Sequence, residues 1–199
     1  ALLPGIEPRI WIGNATVTRA HYDLNDNIAC VVAGRRRVWL LPPDQLPNLY
    51  PGPFDRTIGG VPVAMVDVEN PDLDRYPRFA EARAHMLVAD LGPGDAVYIP
   101  YGWWHQVRAL SPFNVLVNFW WNDAATAASP YDALFHALLA VRDLPADQRE
   151  VWRTLFDHYV FEHNGDPVAH LAPAERGSLG PLTPDLVGRI KAALRQGLG

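Results

Sequence analysis

The clearest pattern in the chain runs over residues 114–121. Asn114, Leu116, Asn118 and Trp120 fall on one side of an extended strand, and Val115, Val117, Phe119 and Trp121 on the other. Residues 28–32 are continuously apolar and partly β-branched, which predicts a buried strand. A turn at Ala33-Gly34 leads to a further strand. There Arg36, Val38 and Leu40 share one face and Arg35, Arg37 and Trp39 the other, until Pro42-Pro43 stops it. Shorter extended runs are predicted at 9–12, 85–89 and 96–99. Residues 61–68 have strand composition, with Pro62 favouring an edge or a strand start. The Pro- and Gly-rich stretch 47–60 reads as a loop, and 78–85 as a short helical or irregular piece.

The period then changes. Ser129 is placed to cap a helix with Pro130 at its first position, and Leu134, Leu138 and Val141 predict helix over 131–141. A second helix fits 146–162, with Val151, Leu155, Phe156, Tyr159 and Val160 as its apolar stripe and His163-Asn164-Gly165 as its end. A third follows Thr183-Pro184 and carries Leu186, Ile190 and Leu194. About eight short strands followed by helices predict a mainly β fold. The expected form is a closed double-sheet barrel of the jelly-roll or cupin kind, a double-stranded β-helix, over residues 1–125. Residues 126–199 are expected to form a helical region and a homodimerisation element.

Composition narrows the classes. Of 199 residues, 49% are apolar and 20% charged, an ordinary globular mix for one domain and a small appendage. The net charge is -5 and the longest basic run is the triplet Arg35-Arg36-Arg37, so no nucleic-acid arm is expected. Cys30 is the only cysteine, which excludes an intrachain disulfide and suits a reducing, cytoplasmic setting. No signal peptide and no apolar run of membrane-spanning length is found, so no membrane partner is expected.

The candidate chemistry lies in His21 and Asp23, read with the distant His105. Residues two apart on an extended strand point the same way, so an imidazole and a carboxylate converge. His105 follows the strand expected at 96–99. Two histidines and one carboxylate are the facial set that holds non-haem Fe(II) with positions left open; zinc takes the same donors. Taken singly, each residue has a plainer reading, His21 as a hydrogen-bonded histidine beside a turn aspartate and His105 as a satisfied core histidine. The other histidines (His85, His136, His158, His163 and His170) carry no comparable spacing.

Two further positions stand out. Asn118 sits midway along an apolar strand, and a buried amide needs either a structural partner or a ligand. Arg36, if it faces inward, needs an anion. A dicarboxylate cosubstrate supplies one; a protein carboxylate, or rotation out to solvent, answers the same need.

At these residues the sequence resembles the JmjC-type, cupin-like Fe(II)/2-oxoglutarate oxygenases, in particular the hypoxia-inducible-factor asparaginyl hydroxylase group and its bacterial relatives. The matching text is Trp11-Ile12-Gly13, Thr18-Arg19-Ala20-His21-Tyr22-Asp23, Asn27, Leu41-Pro42-Pro43-Asp44-Gln45 and Leu49-Tyr50-Pro51. It continues through Asn70-Pro71-Asp72, Pro93-Gly94-Asp95, Tyr98-Ile99-Pro100, Trp103-Trp104-His105 and Val117-Asn118-Phe119-Trp120. The resemblance implies that His21, Asp23 and His105 bind Fe(II), that Thr18 bonds the distal carboxylate of 2-oxoglutarate, and that Asn27 and Asn118 line the cosubstrate pocket. The family's lysine for that carboxylate, two residues past the turn glycine, is here Arg36, longer and forked. A family tyrosine contact comes from upstream of the barrel; here it is expected either to be absent or to lie in sequence not shown.

The activity so implied is hydroxylation of an unactivated C–H bond using 2-oxoglutarate and O₂, with release of succinate and CO₂. The expected substrate is a protein or peptide side chain near the loop 50–59, a small molecule being the other option. Trp104, Trp120 and Tyr98 are candidates to wall the site. Two alternatives stay open: a metal cupin that uses no 2-oxoglutarate (a dioxygenase or an isomerase), and a non-catalytic cupin-like binding protein.

Overall fold

A computed structural model describes residues 5–54, 61–124 and 126–198. The chain divides into two compact units, Ala1–Asp123 and Ala124–Gly199, which are taken in turn. The first holds eight strands: β1 (Pro8–Gly13), β2 (Val17–Tyr22), β3 (Asp26–Ala33), β4 (Arg36–Leu41), β5 (Leu87–Leu91), β6 (Ala96–Ile99), β7 (Trp104–Ala109) and β8 (Asn114–Trp121), with a short helix α1 (Phe79–Ala84) before β5. They form two four-stranded antiparallel sheets, in the orders β1-β8-β3-β6 and β2-β7-β4-β5.

The closed barrel expected from the sequence is not formed. Closure requires the edge strands to share a hydrogen-bonded ladder, and among the described residues no strand of one sheet pairs with a strand of the other. One cause is visible at β2. Its outer edge is engaged by the segment after residue 60, where the Ala64 amide donates to the Ala20 carbonyl at 2.8 Å. The architecture is a mixed α/β, cupin-like double sheet.

Two cores explain the residue pattern. Val38 and Leu40 of β4 and Leu91 of β5 meet Val31 of β3 and Ile99 of β6 between the sheets. Trp39 and Leu41 of β4, Ala20 of β2 and Trp104 of β7 pack on the opposite side of the second sheet, against Leu49, Val66, Val68, Phe79 and Ala82. Both faces of β4 are therefore covered. Each large side chain buried in this way contributes roughly 1.5–3 kcal/mol of transfer free energy.

The strand expected at 61–68 is absent. That segment makes an isolated bridge between Pro51 and Ala64, with the Gly52 amide on the Val63 carbonyl and the Met65 amide on the Tyr50 carbonyl. Pro62 is fully buried within it and has no amide hydrogen to give a ladder. Of the loop expected to face substrate, residues 55–60 lie outside the described residues.

Gly34 makes the turn between β3 and β4 with φ 78°. A Cβ there would strike the Asn114 side-chain oxygen and lie 2.6 Å from the Phe113 carbonyl oxygen. Both the positive φ and the clash act against any other residue. Gly34→Ala is expected to lower stability by about 2 kcal/mol or more, read as a shift of the urea midpoint.

The second unit contains α2 (Pro130–Ala140), α3 (Ala146–Tyr159) and α4 (Pro184–Gly197). The Ser129 hydroxyl accepts from the Tyr131 amide at 3.2 Å, with Pro130 opening the helix. Thr183 caps α4 through the Leu186 amide. Helix α3 stops three residues before the predicted end, and Glu162 takes a left-handed φ of 50° just beyond it. Val168 and Leu186 are buried, whereas Leu139, Val151 and Phe161 are exposed. Among the described residues no helix is long and apolar enough to cross a membrane.

Candidate metal centre

Strands β2 and β7 are antiparallel neighbours, and their register sets His21 directly opposite His105. The imidazole centroids lie 4.4 Å apart with the planes inclined at 52°. His105 is inside β7 rather than in the loop before it. Asp23 stands just past the end of β2, where its carbonyl accepts from the Gly102 amide at 2.9 Å. That bond, in a turn where Gly102 takes φ 74°, ties the entry of β7 to the exit of β2.

The three side chains converge. Asp23 Oδ1 lies 3.9 Å from His21 Nε2, and Asp23 Oδ2 lies 3.6 Å from His105 Nε2. One donor atom from each falls within 4.8 Å of the others, a grouping able to hold a metal ion. His21 Nδ1 is 2.8 Å from the Arg19 carbonyl and His105 Nδ1 is 3.1 Å from the Trp103 carbonyl. A carbonyl only accepts, so each Nδ1 carries hydrogen and each Nε2 is the nitrogen turned toward Asp23. Burial pushes His105 down to about 4, helped by the neighbouring His21 and opposed by the Trp103 carbonyl and Asp23. It is therefore neutral near pH 7, the state a ligand must have.

Asp23 Oδ2 is buried with no hydrogen-bond partner among the described residues. An unmatched buried polar atom costs about 1–3 kcal/mol, and more when charged. A cation between Asp23 and the two Nε2 atoms removes that cost, so the donor set fits a divalent metal. Two imidazoles and one carboxylate with no thiolate suit iron.

A local irregularity makes the arrangement possible. Thr18 pairs with Val107 and His21 with His105, so three steps along β2 match two along β7. This is a β-bulge. In a regular strand Thr18 and His21 would face opposite ways. The extra residue lets both face inward while Ala20 turns into the other core.

A cavity of about 330 Å³ opens beside the centre. It is lined by all seven residues singled out from the sequence: Thr18, His21, Asp23, Asn27, Arg36, His105 and Asn118. Arg36 is 9% exposed, makes no ion pair, and has a buried Nε without a partner among the described residues. Burial lowers its pKa. The protein carboxylate that the sequence left open for it is thus not supplied, nor is it turned out to solvent. Asn118 has structural partners: its amide donates to Asn27 Oδ1 at 3.1 Å, and its oxygen accepts from Trp11 Nε1 at 2.8 Å. Apolar walls come from Ile99, Val107 and Leu116, and from Trp11 and Trp120.

Trp11 was visible in the sequence only as matching text, since no periodicity marks a short exposed strand as a pocket wall. Of the aromatics suggested as walls, Trp120 lines the cavity, and Trp104 and Tyr98 do not. Trp104 is 1% exposed in the core beyond the second sheet. Tyr98 is half exposed, donates to Asp26 at 2.6 Å and stacks on Trp121.

Comparison with known proteins agrees with this framework. The lysine-specific demethylase JMJ31 of Arabidopsis thaliana is 41% identical over 112 residues, covering 56% of this chain and 20% of that protein. HSPB1-associated protein 1 of Rattus norvegicus is 39% identical over 118 residues, 58% of this chain and 24% of its own. The tRNA wybutosine-synthesizing protein 5 of Gallus gallus is 31% identical over 148 residues, 66% and 43% respectively. The chain thus spans a fifth to about two fifths of the length of these curated relatives. What they share with it is the JmjC- and cupin-like framework, a broader kinship than the asparaginyl hydroxylase group. The family described as the cupin-like domain matches residues 5–127, more than half of the sequence, and the chain belongs to that family.

Proposed function

We propose that the chain carries the catalytic domain of an Fe(II)/2-oxoglutarate-dependent dioxygenase. The observation that carries this reading is one cavity with two unmet charges. Asp23, with a buried Oδ2, faces two imidazoles at one end, and a buried guanidinium with no partner for its Nε among the described residues stands at the other. Arg36 lies opposite Ala109, four residues along β7 from His105, which is ~13 Å of strand at the usual rise. The arginine side chain spans roughly half of that distance. A short dicarboxylate that chelates a metal at His21, Asp23 and His105 fills the rest and presents its far carboxylate to the guanidinium, whose fork suits it.

In this reading the bound iron, 2-oxoglutarate and O₂ supply oxidative decarboxylation to succinate and CO₂ and the hydroxylation of a C–H bond. The chain's own residues bind and orient. His21, Asp23 and His105 would hold the metal through two imidazoles and one carboxylate, a donor set that would leave positions open for ligands. Arg36, with Thr18 at the cavity wall, fixes the cosubstrate's distal end. Ile99, Val107, Leu116 and Trp11 keep the cavity dry, which strengthens the charge contacts inside it. No side chain needs to act as a general base.

The substrate we assign is a protein or peptide side chain. Two relatives carry names that specify lysine and tRNA; a net charge of -5 disfavours a polyanionic RNA and leaves the protein class. Succinate formation with Fe(II), 2-oxoglutarate and a peptide library tests the proposal. Oxygen consumption indifferent to 2-oxoglutarate would instead identify a cosubstrate-independent metal cupin. We further assign self-association to residues 124–199, whose exposed Leu139, Val151 and Phe161 are apolar. A sedimentation coefficient of a monomer at high concentration would exclude it.

A further inference from the structure

Three buried side-chain atoms around one cavity have no partner among the described residues: Asp23 Oδ2, Arg36 Nε and Trp120 Nε1. The first is answered by a cation and the second by a carboxylate. The third has no assigned role. From the unmet indole N–H of Trp120 at the metal end of the cavity, we infer that Trp120 is a cosubstrate-binding residue that donates a hydrogen bond to the carboxylate of the 2-oxoacid beside the metal.

Strand register locates the donor. Trp120 pairs with Asn27, which in turn pairs with Ile99, so it lies at the end of the first sheet that Asp26 and Asp23 enter. Arg36 belongs to the opposite end: it follows Gly34, whose neighbours are Phe113 and Asn114 at the start of β8. Arg36 and Trp120 therefore serve different ends of a ligand. The indole is also held in place. The Arg9 guanidinium lies 4.3 Å over its ring, and Trp11 meets it edge-on at 6.3 Å between centroids. Trp11 spends its own N–H on Asn118, so the two adjacent indoles differ in one respect, and only Trp120 keeps a donor to give. A neutral N–H in a dry site is a good match for a carboxylate that already shares its charge with a metal.

The inference rests on the 2-oxoglutarate reading, and the test separates the two. The Mn(II)-loaded protein is titrated with 2-oxoglutarate and with 4-oxopentanoate, which keeps the ketone and the far carboxylate but has a methyl group where the near carboxylate stands. The parent and Trp120→Phe are compared. The expected result is about a tenfold rise in Kd for 2-oxoglutarate in the variant, with Mn(II) affinity unchanged and no rise for 4-oxopentanoate. Equal losses for both ligands mean that the ring acts by packing, and the inference is overturned. An unchanged Kd for 2-oxoglutarate overturns it as well. Failure of the parent protein to bind 2-oxoglutarate defeats the cosubstrate assignment itself. Where phenylalanine disturbs Mn(II) binding, benzothienylalanine at position 120, isosteric with tryptophan but lacking the N–H, gives the same comparison.

Discussion

An Asp23→Ala protein is expected to lose the thermal stabilisation that Mn(II) gives the parent chain. Ligand that binds only the folded state stabilises it by about 2.7 kcal/mol at a hundred times Kd. For a chain of this size that is roughly 5–10 °C in Tm. Among the described residues Asp23 supplies the one carboxylate of the centre, so its removal is expected to cost roughly a hundredfold or more in metal affinity and to erase that shift. The metal-free variant should melt no lower than the metal-free parent. In the parent, Asp23 Oδ2 is a buried polar atom that meets no donor among the described residues, and removing such an atom relieves a cost rather than creating one. Differential scanning calorimetry with and without Mn(II) reads both effects. A variant that keeps its Mn(II)-dependent shift would place the cation elsewhere.

Arg36→Met is expected to weaken 2-oxoglutarate binding by a factor of roughly thirty to several thousand while leaving Mn(II) affinity intact. Methionine keeps an unbranched apolar stem at this cavity wall and deletes the charge. Truncating one partner of a buried charge pair costs about 2–5 kcal/mol in binding. Among the described residues the guanidinium meets no anion, so the unliganded variant should be as stable as the parent or more so. Calorimetric titration of 2-oxoglutarate into each Mn(II)-loaded protein decides it. Equal affinities would remove Arg36 from the cosubstrate site.

Much of this site could be read before any coordinates. His21 and Asp23 declared themselves by spacing, and β8 by alternation. Arg36 raised the question of its counter-ion in the sequence, and the structure leaves that question to a ligand. What stayed hidden depended on long-range hydrogen bonds. The fate of Ala20, whose carbonyl takes the Ala64 amide, decides that the sheets stay open, and nothing near Ala20 announces it. Trp39 shares its strand face with Arg35 and Arg37, and that pattern does not say which side is covered. It is buried because the chain after Pro43 folds back over that side of the sheet. Trp104 was read with its neighbour His105 as one feature, yet adjacent strand residues point apart, and the two serve different layers. The segment 61–68 had strand residues, but Pro62 withholds a donor there and no long strand lies alongside it.

The irregular step in β2 also makes the centre a matter of parity. A deletion of one amino acid between Thr18 and His21 would leave two steps along β2 against two along β7, a regular pairing in which both side chains still share one side. At the present length a regular ladder would turn Thr18 and His21 to opposite sides. Anyone grafting this centre onto another scaffold must therefore transplant the bulge together with the three-residue spacing, or drop both.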